Sequence, residues 1–182
     1  HLSHAVLQKR GFGAIMGSIL LKEPVMLKLV PVRAEERELL WNINQKYLYE
    51  MTNFYPDEMD GEGNLHYGYF DEYFRDPKRK AFFIFNDEKM VGFVMIHPYS
   101  VISGAPDYTM AEFTIFPSYR KNHFATDTAN LIFSTYKGKW EIKFNEKNHA
   151  AKKLWTTVAA PHCPRVYRLN EEETVLTFEI NK

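Results

Sequence analysis

The spacing of hydrophobic residues alternates between two periods along the chain, and each period predicts one kind of element. Alternating or continuous apolar runs, typical of strands, occupy residues 27–32, 81–85, 90–97, 108–116, 140–144, 165–169 and 174–180. Apolar residues recur every three or four positions in 33–51, 64–75, 124–136 and from Asn148 onward, which predicts helices. Asn64 is suited to cap the second of these helices. Between residues 52 and 63, acidic residues, proline and glycine predict a loop.

The order of these elements is strand, two helices, three strands, helix, strand, helix and two strands. This interleaving predicts an α/β (α+β) domain of three layers, with a mixed central sheet of about seven strands flanked by four helices. We assign residues 26–182 to this single domain. Residues 1–25 carry a short apolar stretch interrupted by Gly11, Gly13 and Gly17. We expect them to be an N-terminal extension that is native, disordered or left by cloning.

Composition narrows the class of protein. The 182 residues include 45% hydrophobic and 15% aromatic side chains, which is typical of a folded domain with its own core. Lys plus Arg and Asp plus Glu number 23 each, so the chain offers no general basic field for nucleic acid. No apolar run reaches the roughly 20 residues of a membrane span. We expect a cytoplasmic protein without a nucleic-acid or membrane partner, and the oligomeric state stays open, a homodimer included.

The sequence gives little support to metal or thiol chemistry. The single cysteine, Cys163, excludes an internal disulfide and any site built of several thiolates. None of the 7 histidines has zinc-site spacing with two further ligands. We therefore expect no metal, and we expect Cys163 to be a structural or surface thiol.

The most informative segment is 113–125, with the sequence FTIFPSYRKNHFA. An apolar strand ends at a proline, a short basic turn follows, and a helix then begins. The first amides of a helix are unpaired and lie at the positive end of its dipole, so they can bind an anion. Arg120 and Lys121 add positive charge beside them. The segment can hold a diphosphate, although a solvated basic turn between a strand and a helix has the same pattern.

Two motifs in this half of the chain resemble those of one enzyme family. The stretch Phe113-x-Ile115-x-Pro117-x-Tyr119-Arg120-x-x-His123-Phe124-Ala125 is similar to the acetyl-CoA motif of the GNAT acyltransferases, the Gcn5-related N-acetyltransferase superfamily. At the expected distance, Asn148-x-x-Ala151-x-x-Leu154-Trp155 resembles a second family segment. The order of elements also matches from about residue 27 to residue 180, so the resemblance covers most of the chain.

The resemblance implies a cofactor and a reaction. A GNAT enzyme moves the acetyl group of acetyl-CoA to an amine, here a primary amine of an unidentified small molecule or peptide. Backbone groups of Phe113 and Ile115 would pair with the pantetheine arm, as an added strand does. The turn and helix start would hold the pyrophosphate, through Arg120, Lys121, Asn122, His123, Phe124 and Ala125. Asn148 would face the cofactor arm or cap its helix, and these two roles are compatible.

Three departures from the family pattern bear on activity. His123 stands where the family usually has glycine, and a side chain there limits how closely the backbone approaches a pyrophosphate. Trp155 replaces a tyrosine whose phenol can protonate a leaving thiolate, so we expect Trp155 to be a packing residue. Residues 156–161 replace the usual glycine and aromatic residue. His123 and Trp155 favour an alternative function, a non-catalytic acyl-CoA-binding or regulatory module on the same fold.

Direct transfer requires a base, because an amine is protonated at neutral pH. Glu112 is the best candidate: it interrupts an apolar strand near the expected thioester, and burial there would raise its pKa. The alternative is an exposed or ion-paired glutamate. His97 is a reserve base or the cap of a strand end, and Tyr108 is a potential donor or a core residue.

The two helices before residue 76 and their loop are expected to form the acceptor pocket. Aromatic residues dominate this half: Trp41, Tyr47, Tyr49, Phe54, Tyr55, Tyr67, Tyr69 and Tyr73. The loop is acidic, through Asp57, Glu58, Asp60 and Glu62. Aromatic walls with an acidic rim suit a cationic amine, and a solvated acidic loop over a core is the alternative.

Overall fold

The computed structural model describes residues 26–181, and the predicted N-terminal extension lies outside this range. Seven strands occur in these residues: β1 (Leu27–Pro31), β2 (Lys80–Asn86), β3 (Lys89–His97), β4 (Tyr108–Ile115), β5 (Gly138–Asn145), β6 (Arg165–Arg168) and β7 (Glu173–Ile180). Within the same residues the α-helices are α1 (Arg37–Met51), α2 (Phe124–Thr135) and α3 (His149–Ala159). Short 3-10 turns occupy Ala34–Glu36, Asp71–Phe74, Pro117–Tyr119 and Ala160–His162. No helix between residues 26 and 181 is both long and apolar enough to cross a membrane.

The strands form one sheet in the order β1-β2-β3-β4-β5-β7-β6. Neighbouring strands are antiparallel except for β4 and β5, which are parallel and are connected by α2. The predicted mixed sheet is therefore confirmed. A parallel pair needs a long crossover, and the helix that follows the basic turn provides it.

Helices cover the sheet on both faces, which confirms the predicted three layers. The apolar run at the start of β2 divides alternately between two cores. Ala81 and Phe83 pack with Leu40 of α1 on one face, while Phe82 and Ile84 belong to the core beneath α2 and α3. A strand that is buried on both faces has no polar alternation, which explains the continuous apolar sequence AFFIF.

The predicted second helix, capped by Asn64, is wrong, so the described chain has three α-helices rather than four. Residues 64–70 are irregular, and only the turn Asp71–Phe74 is helical. The side chain of Gln45 on α1 bonds both backbone groups of Leu65, at 2.7 Å to its N–H and 2.9 Å to its C=O. These bonds occupy the groups that a helix would use, and Gly68 lowers helix propensity further. The apolar stripe instead fixes this segment to the α1 core, where Phe70 and Tyr73 are buried.

Candidate active site

The parallel strands β4 and β5 separate after a short contact. Their pairing runs only from Tyr108–Met110 to Trp140–Ile142, although both strands continue beyond it. From Ala111 onward, the edge of β4 that faces β5 has no partner strand among residues 26–181. The two strands therefore border a gap at their C-terminal ends, with free backbone groups along one side.

The register of β4 against β3 determines which backbone groups face this gap. The Phe116 N–H donates to the Val91 carbonyl at 2.8 Å, so Thr114 and Glu112 also direct their backbone groups toward β3. Phe113 and Ile115, the alternate residues, direct theirs toward the gap. The two residues that the motif selects for the pantetheine arm thus lie on the unpaired edge.

A β-bulge places Glu112 on the acceptor face of the sheet. Met95 pairs with Glu112 and Ile96 pairs with Met110, which leaves Ala111 as an extra residue in β4. Ala111 packs against the α1 core, and Glu112 is contacted by Tyr47 of that same helix, so two consecutive residues point to one face. Without the bulge, strict alternation would direct Glu112 to the opposite side.

Glu112 is partly buried, and its surroundings raise the pKa of its carboxyl group. Loss of hydration raises the pKa of Glu112 to about 7, while hydrogen bonding from the Tyr47 and Tyr67 hydroxyls and the positive charge of Lys143 lower it. Burial raises the pKa values of both tyrosines far above the ordinary value, so they stay protonated and act as donors. A carboxyl group with this pKa can accept a proton near neutral pH.

The helix start after the basic turn has the geometry of an anion site. His123, the N-cap of α2, has a φ of 63°, and Lys121 has a φ of 66°. The first bond of the helix runs from the Asp127 N–H to the His123 carbonyl at 3.0 Å, and no side chain of residues 26–181 caps α2. The amides of residues 124–126 therefore have no acceptor within residues 26–181.

This cradle fits a pyrophosphate. Its donors are unpaired backbone amides, and residues 121 and 123 have the left-handed conformation that is typical of anion-binding turns. The family pattern has glycine at 123 because an L residue is strained at positive φ. His123 adopts the same conformation, and its side chain is exposed.

Arg120 differs from the expectation that its charge serves the cradle. Its guanidinium bonds both carboxylate oxygens of Glu50 on α1, at 2.7 and 2.8 Å, and its Nε donates to the Ile115 carbonyl at 2.8 Å. Lys121 and Asn122 are exposed beside the helix start. Of these two cations of the turn, Lys121 is the one that pairs with no carboxylate within residues 26–181.

The second motif holds α3 beside the gap. The Asn148 side chain accepts a hydrogen bond from the Ala151 N–H at 3.0 Å, which confirms its role as a helix cap. Trp155 is 5% exposed and packs edge-on against Phe113, with 5.0 Å between the ring centroids. The expected packing role of Trp155 is confirmed, and its partner is one of the two residues at the free edge of β4.

The alternative base and donor lie elsewhere. His97 accepts a hydrogen bond from the Tyr99 N–H at 3.2 Å just after β3 ends, so it caps a strand end. Burial and the nearby Arg79 lower the pKa of His97 to about 4. Tyr108 packs against Trp140 and Tyr136 at the paired end of β4 and β5, with centroids 5.0 and 5.4 Å apart. Neither residue lies at the mouth of the gap.

The acceptor half brings together only part of the predicted aromatic set. Tyr47 and Tyr67 contact Glu112, and the Tyr55 ring lies 5.3 Å from the Lys143 ammonium. Trp41 and Tyr73 instead pack in the α1 core, whereas Tyr49 and Tyr69 are exposed. The acidic residues of the loop are exposed as well: Asp57, Glu58, Asp60 and Glu62.

Sequence reasoning missed three charged residues at this site. Lys143 of β5 pairs with Glu173 of β7 at 2.6 Å and acts on Glu112 across the gap, and Glu50 binds Arg120. Lys143 alternates with Ile142 and Phe144, so the period of the strand places it on the face opposite the α2 and α3 core. This alternation could have indicated the face of β5 on which Lys143 lies. It could not show that Lys143 lies near Glu112, because that requires the parallel pairing of β4 and β5.

Residues 26–181 contain no group of three or more His, Cys, Asp or Glu side chains arranged to hold a metal ion. Cys163 is exposed, as expected for a surface thiol.

The chain is similar to known proteins in sequence pattern and in fold. The sequence pattern described as "Acetyltransferase (GNAT) family" matches residues 40–159. A search of curated protein sequences finds no match.

Solved structures share the fold at low sequence identity. An acetyltransferase from Thermus thermophilus superposes with a TM-score of 0.64 at 16% identity, covering 86% of this chain and 98% of that chain. Spermidine N-acetyltransferase from Vibrio cholerae, in complex with CoA and spermine, gives 0.57 at 14% identity, covering 85% and 95%. The N-acetyltransferase PseH of Campylobacter jejuni, in complex with acetyl coenzyme A, gives 0.53 at 14% identity, covering 85% and 99%.

Proposed function

The chain belongs to the acetyltransferase (GNAT) family, and on that premise we propose that it transfers an acetyl group from acetyl-CoA directly to a primary amine. The observation that carries the proposal is the unpaired edge of β4 beside a partly buried carboxyl group. The edge offers the backbone groups that an extended thioester arm needs, and Glu112 stands at its acceptor side. The crystallised relatives that hold CoA or acetyl coenzyme A support this assignment.

The cofactor half acts mainly through backbone groups. The N–H groups of Phe113 and Ile115 donate into the gap, and the amides of residues 124–126 bind the pyrophosphate with help from the exposed Lys121. Trp155 fixes the Phe113 ring and thereby the orientation of the edge. Trp155 does not protonate the leaving sulfur, because an indole N–H has no useful acidity. Asn148 contributes by holding the start of α3.

The acceptor half supplies the base. Acetyl-CoA provides the acetyl group as a thioester: the new C–N bond forms at its carbonyl carbon as the C–S bond breaks and coenzyme A leaves. Glu112 accepts the proton that the amine nitrogen loses. Tyr47 and Tyr67 donate hydrogen bonds to the ionised carboxylate and hold it in place. The ionised form predominates above about pH 7, so the base is ready at or slightly above neutral pH.

The acceptor belongs to the class of cationic amines, in a small molecule or at a peptide end. Tyr47 and Tyr67 lie beside the Glu112 carboxyl group, which forms no ion pair within residues 26–181, and the Tyr55 ring faces Lys143. Aromatic faces and carboxylates attract ammonium groups. The Vibrio cholerae relative, which holds spermine beside CoA, supports this class of acceptor. We place the reaction in the cytoplasm.

The test is release of coenzyme A thiol from acetyl-CoA in the presence of polyamines, amino sugars, amino acids and short peptides. We expect at least one amine to be acetylated at rates well above the hydrolysis of acetyl-CoA alone. Glu112→Gln should lower kcat by about 10²–10⁴-fold, the usual contribution of a general base, and leave the Kd of coenzyme A unchanged.

A matched control is Glu173→Gln, which changes the carboxylate that is paired with Lys143 on the other side of the gap from Glu112. Its kcat should fall by much less than that of Glu112→Gln. Tight binding of acetyl-CoA with no turnover on any amine would contradict the enzymatic proposal. That result would support the alternative, a non-catalytic acyl-CoA-binding or regulatory module, which the histidine at position 123 of the cradle favours.

A further inference from the structure

The Arg120 side chain uses its donors on the protein rather than on the cradle. Nη1 and Nη2 bond the two oxygens of Glu50 at 2.7 and 2.8 Å, and Nε donates to the Ile115 carbonyl at 2.8 Å. Nη2 also lies 3.3 Å from the Thr114 hydroxyl. Paired bonds between a guanidinium and a carboxylate fix direction as well as distance, because both groups are planar. The side chain is therefore held in one orientation, toward α1.

These bonds join the two halves of the site. Glu50 lies in the last turn of α1, one turn after Tyr47, whose hydroxyl is close enough to Glu112 to influence the pKa of that carboxyl group. Ile115 ends β4, three residues after Glu112. The Glu50–Arg120–Ile115 bridge thus connects the helix that carries the hydrogen-bond donor to the strand that carries the acceptor. Arg120 also lowers the pKa of Glu50, as expected for a close ion pair.

We propose that Arg120 is a positioning residue for the acetyl transfer step and not a ligand of the cofactor phosphates. It fixes the end of α1 against the end of β4, so that the Tyr47 hydroxyl stays directed at the Glu112 carboxylate. The inference rests on the proposed function, and it departs from the role that the sequence motif implies for this arginine. The phosphates are then bound by backbone amides and Lys121 alone.

The experiment compares the wild type with Arg120→Gln, Glu50→Gln and the double variant. Titration of the Glu112 carboxyl carbon by NMR, without any ligand, measures the positioning directly. Each single variant should raise the pKa of Glu112, because the hydrogen bond from Tyr47 that lowers it is weakened, and the double variant should add no further shift. With acetyl-CoA and an amine, each variant should lower kcat by about tenfold, while the Kd of coenzyme A stays within about twofold of the wild type.

Arg37→Gln is the matched control, because it removes a similarly exposed ion pair, with Asp71, at the opposite end of α1. It should leave the titration of Glu112 unchanged. The proposal is overturned if Arg120→Gln weakens coenzyme A binding by tenfold or more while Glu50→Gln does not, or if the titration of Glu112 moves in neither single variant. A wild-type protein that binds no coenzyme A would refute the proposed function, whereas the ligand-free titration would still decide the role of Arg120.

Discussion

The two sides of the gap between β4 and β5 are built in different ways. The proposed cofactor side consists of consecutive residues, 113–126, and would act through backbone groups whose direction follows from strand pairing and helix geometry. The proposed acceptor side consists of side chains that meet around Glu112 of β4. They come from α1, from β5 and β7, and from the segment that precedes β2. A continuous backbone site can keep its backbone conformation when a side chain changes, as the left-handed φ of His123 shows. A site of scattered side chains depends on each of them.

The largest expected effect is on stability, and it follows from removing the side chain that packs beneath the free edge of β4. Trp155→Ala should lower the free energy of unfolding by about 3–5 kcal/mol, since it removes a buried indole and leaves a cavity beside Phe113. Trp155→Phe should cost less, because it keeps an aromatic partner for that ring. Urea denaturation measures both changes. Tyr49→Ala, at a side chain that is 63% exposed, is the control and should change stability by less than about 1 kcal/mol.

The division between the two sides also explains what the sequence could and could not predict. The sequence could predict segments 113–115 and 120–125 as the end of a strand and the start of a helix. A motif of adjacent residues encodes both. The environment of Glu112 was not, since the bulge at Ala111 and the donors Tyr47 and Tyr67 depend on strand register and on tertiary packing. Similarly, the apolar spacing of residues 64–75 was that of a helix, but the bonds from Gln45 to Leu65 favour an irregular segment.

On the acceptor side, the raised pKa of Glu112 predicts a pH dependence of stability. The folded carboxyl has a pKa of about 7 against an ordinary 4.5, so the folded state retains a proton that the unfolded state has lost between these values. The free energy of unfolding should therefore decrease as pH rises from about 4.5 to about 7, by up to about 3 kcal/mol, and this contribution is then constant.

Denaturation of the wild type and Glu112→Gln at pH 5 and pH 8 checks this prediction. The variant lacks the ionisable group, so its stability relative to the wild type should increase with pH. A constant difference between the two proteins would show that Glu112 has an ordinary pKa.

A smaller effect is expected at the left-handed residues of the cradle. His123→Gly should stabilise the protein by about 1 kcal/mol or less, because glycine accepts a φ of 63° without strain but loses more chain entropy on folding. It should also tighten coenzyme A binding, since the backbone can approach the pyrophosphate more closely. Lys121→Gly relieves the same kind of strain at a φ of 66° and removes the exposed cation, so it should weaken binding instead. Thermal denaturation and calorimetric titration separate the two variants.

The smallest expected effect is the change in pH dependence that follows when the positive charge of Lys143, across the gap from Glu112, is removed. Lys143 lowers the pKa of Glu112, so Lys143→Met should move the acidic limb of the kcat/KM profile to higher pH, by a fraction of a unit. Lys139 lies on the same strand and the same face, four residues before Lys143. Lys139→Met should leave the pH of the acidic limb unchanged. Equal shifts in both variants would indicate a general charge effect rather than a local one.

The central claim is that the unpaired edge of β4 and the start of α2 bind the cofactor, and hydrogen exchange of individual amides tests it most directly. In the free protein, the amides of Phe113, Ile115 and residues 124–126 should exchange faster than those of Thr114 and Asp127, which are bonded within the fold. Addition of acetyl-CoA should protect the first set selectively. Binding of acetyl-CoA that leaves these amides unprotected, or that protects a different surface, would contradict the account.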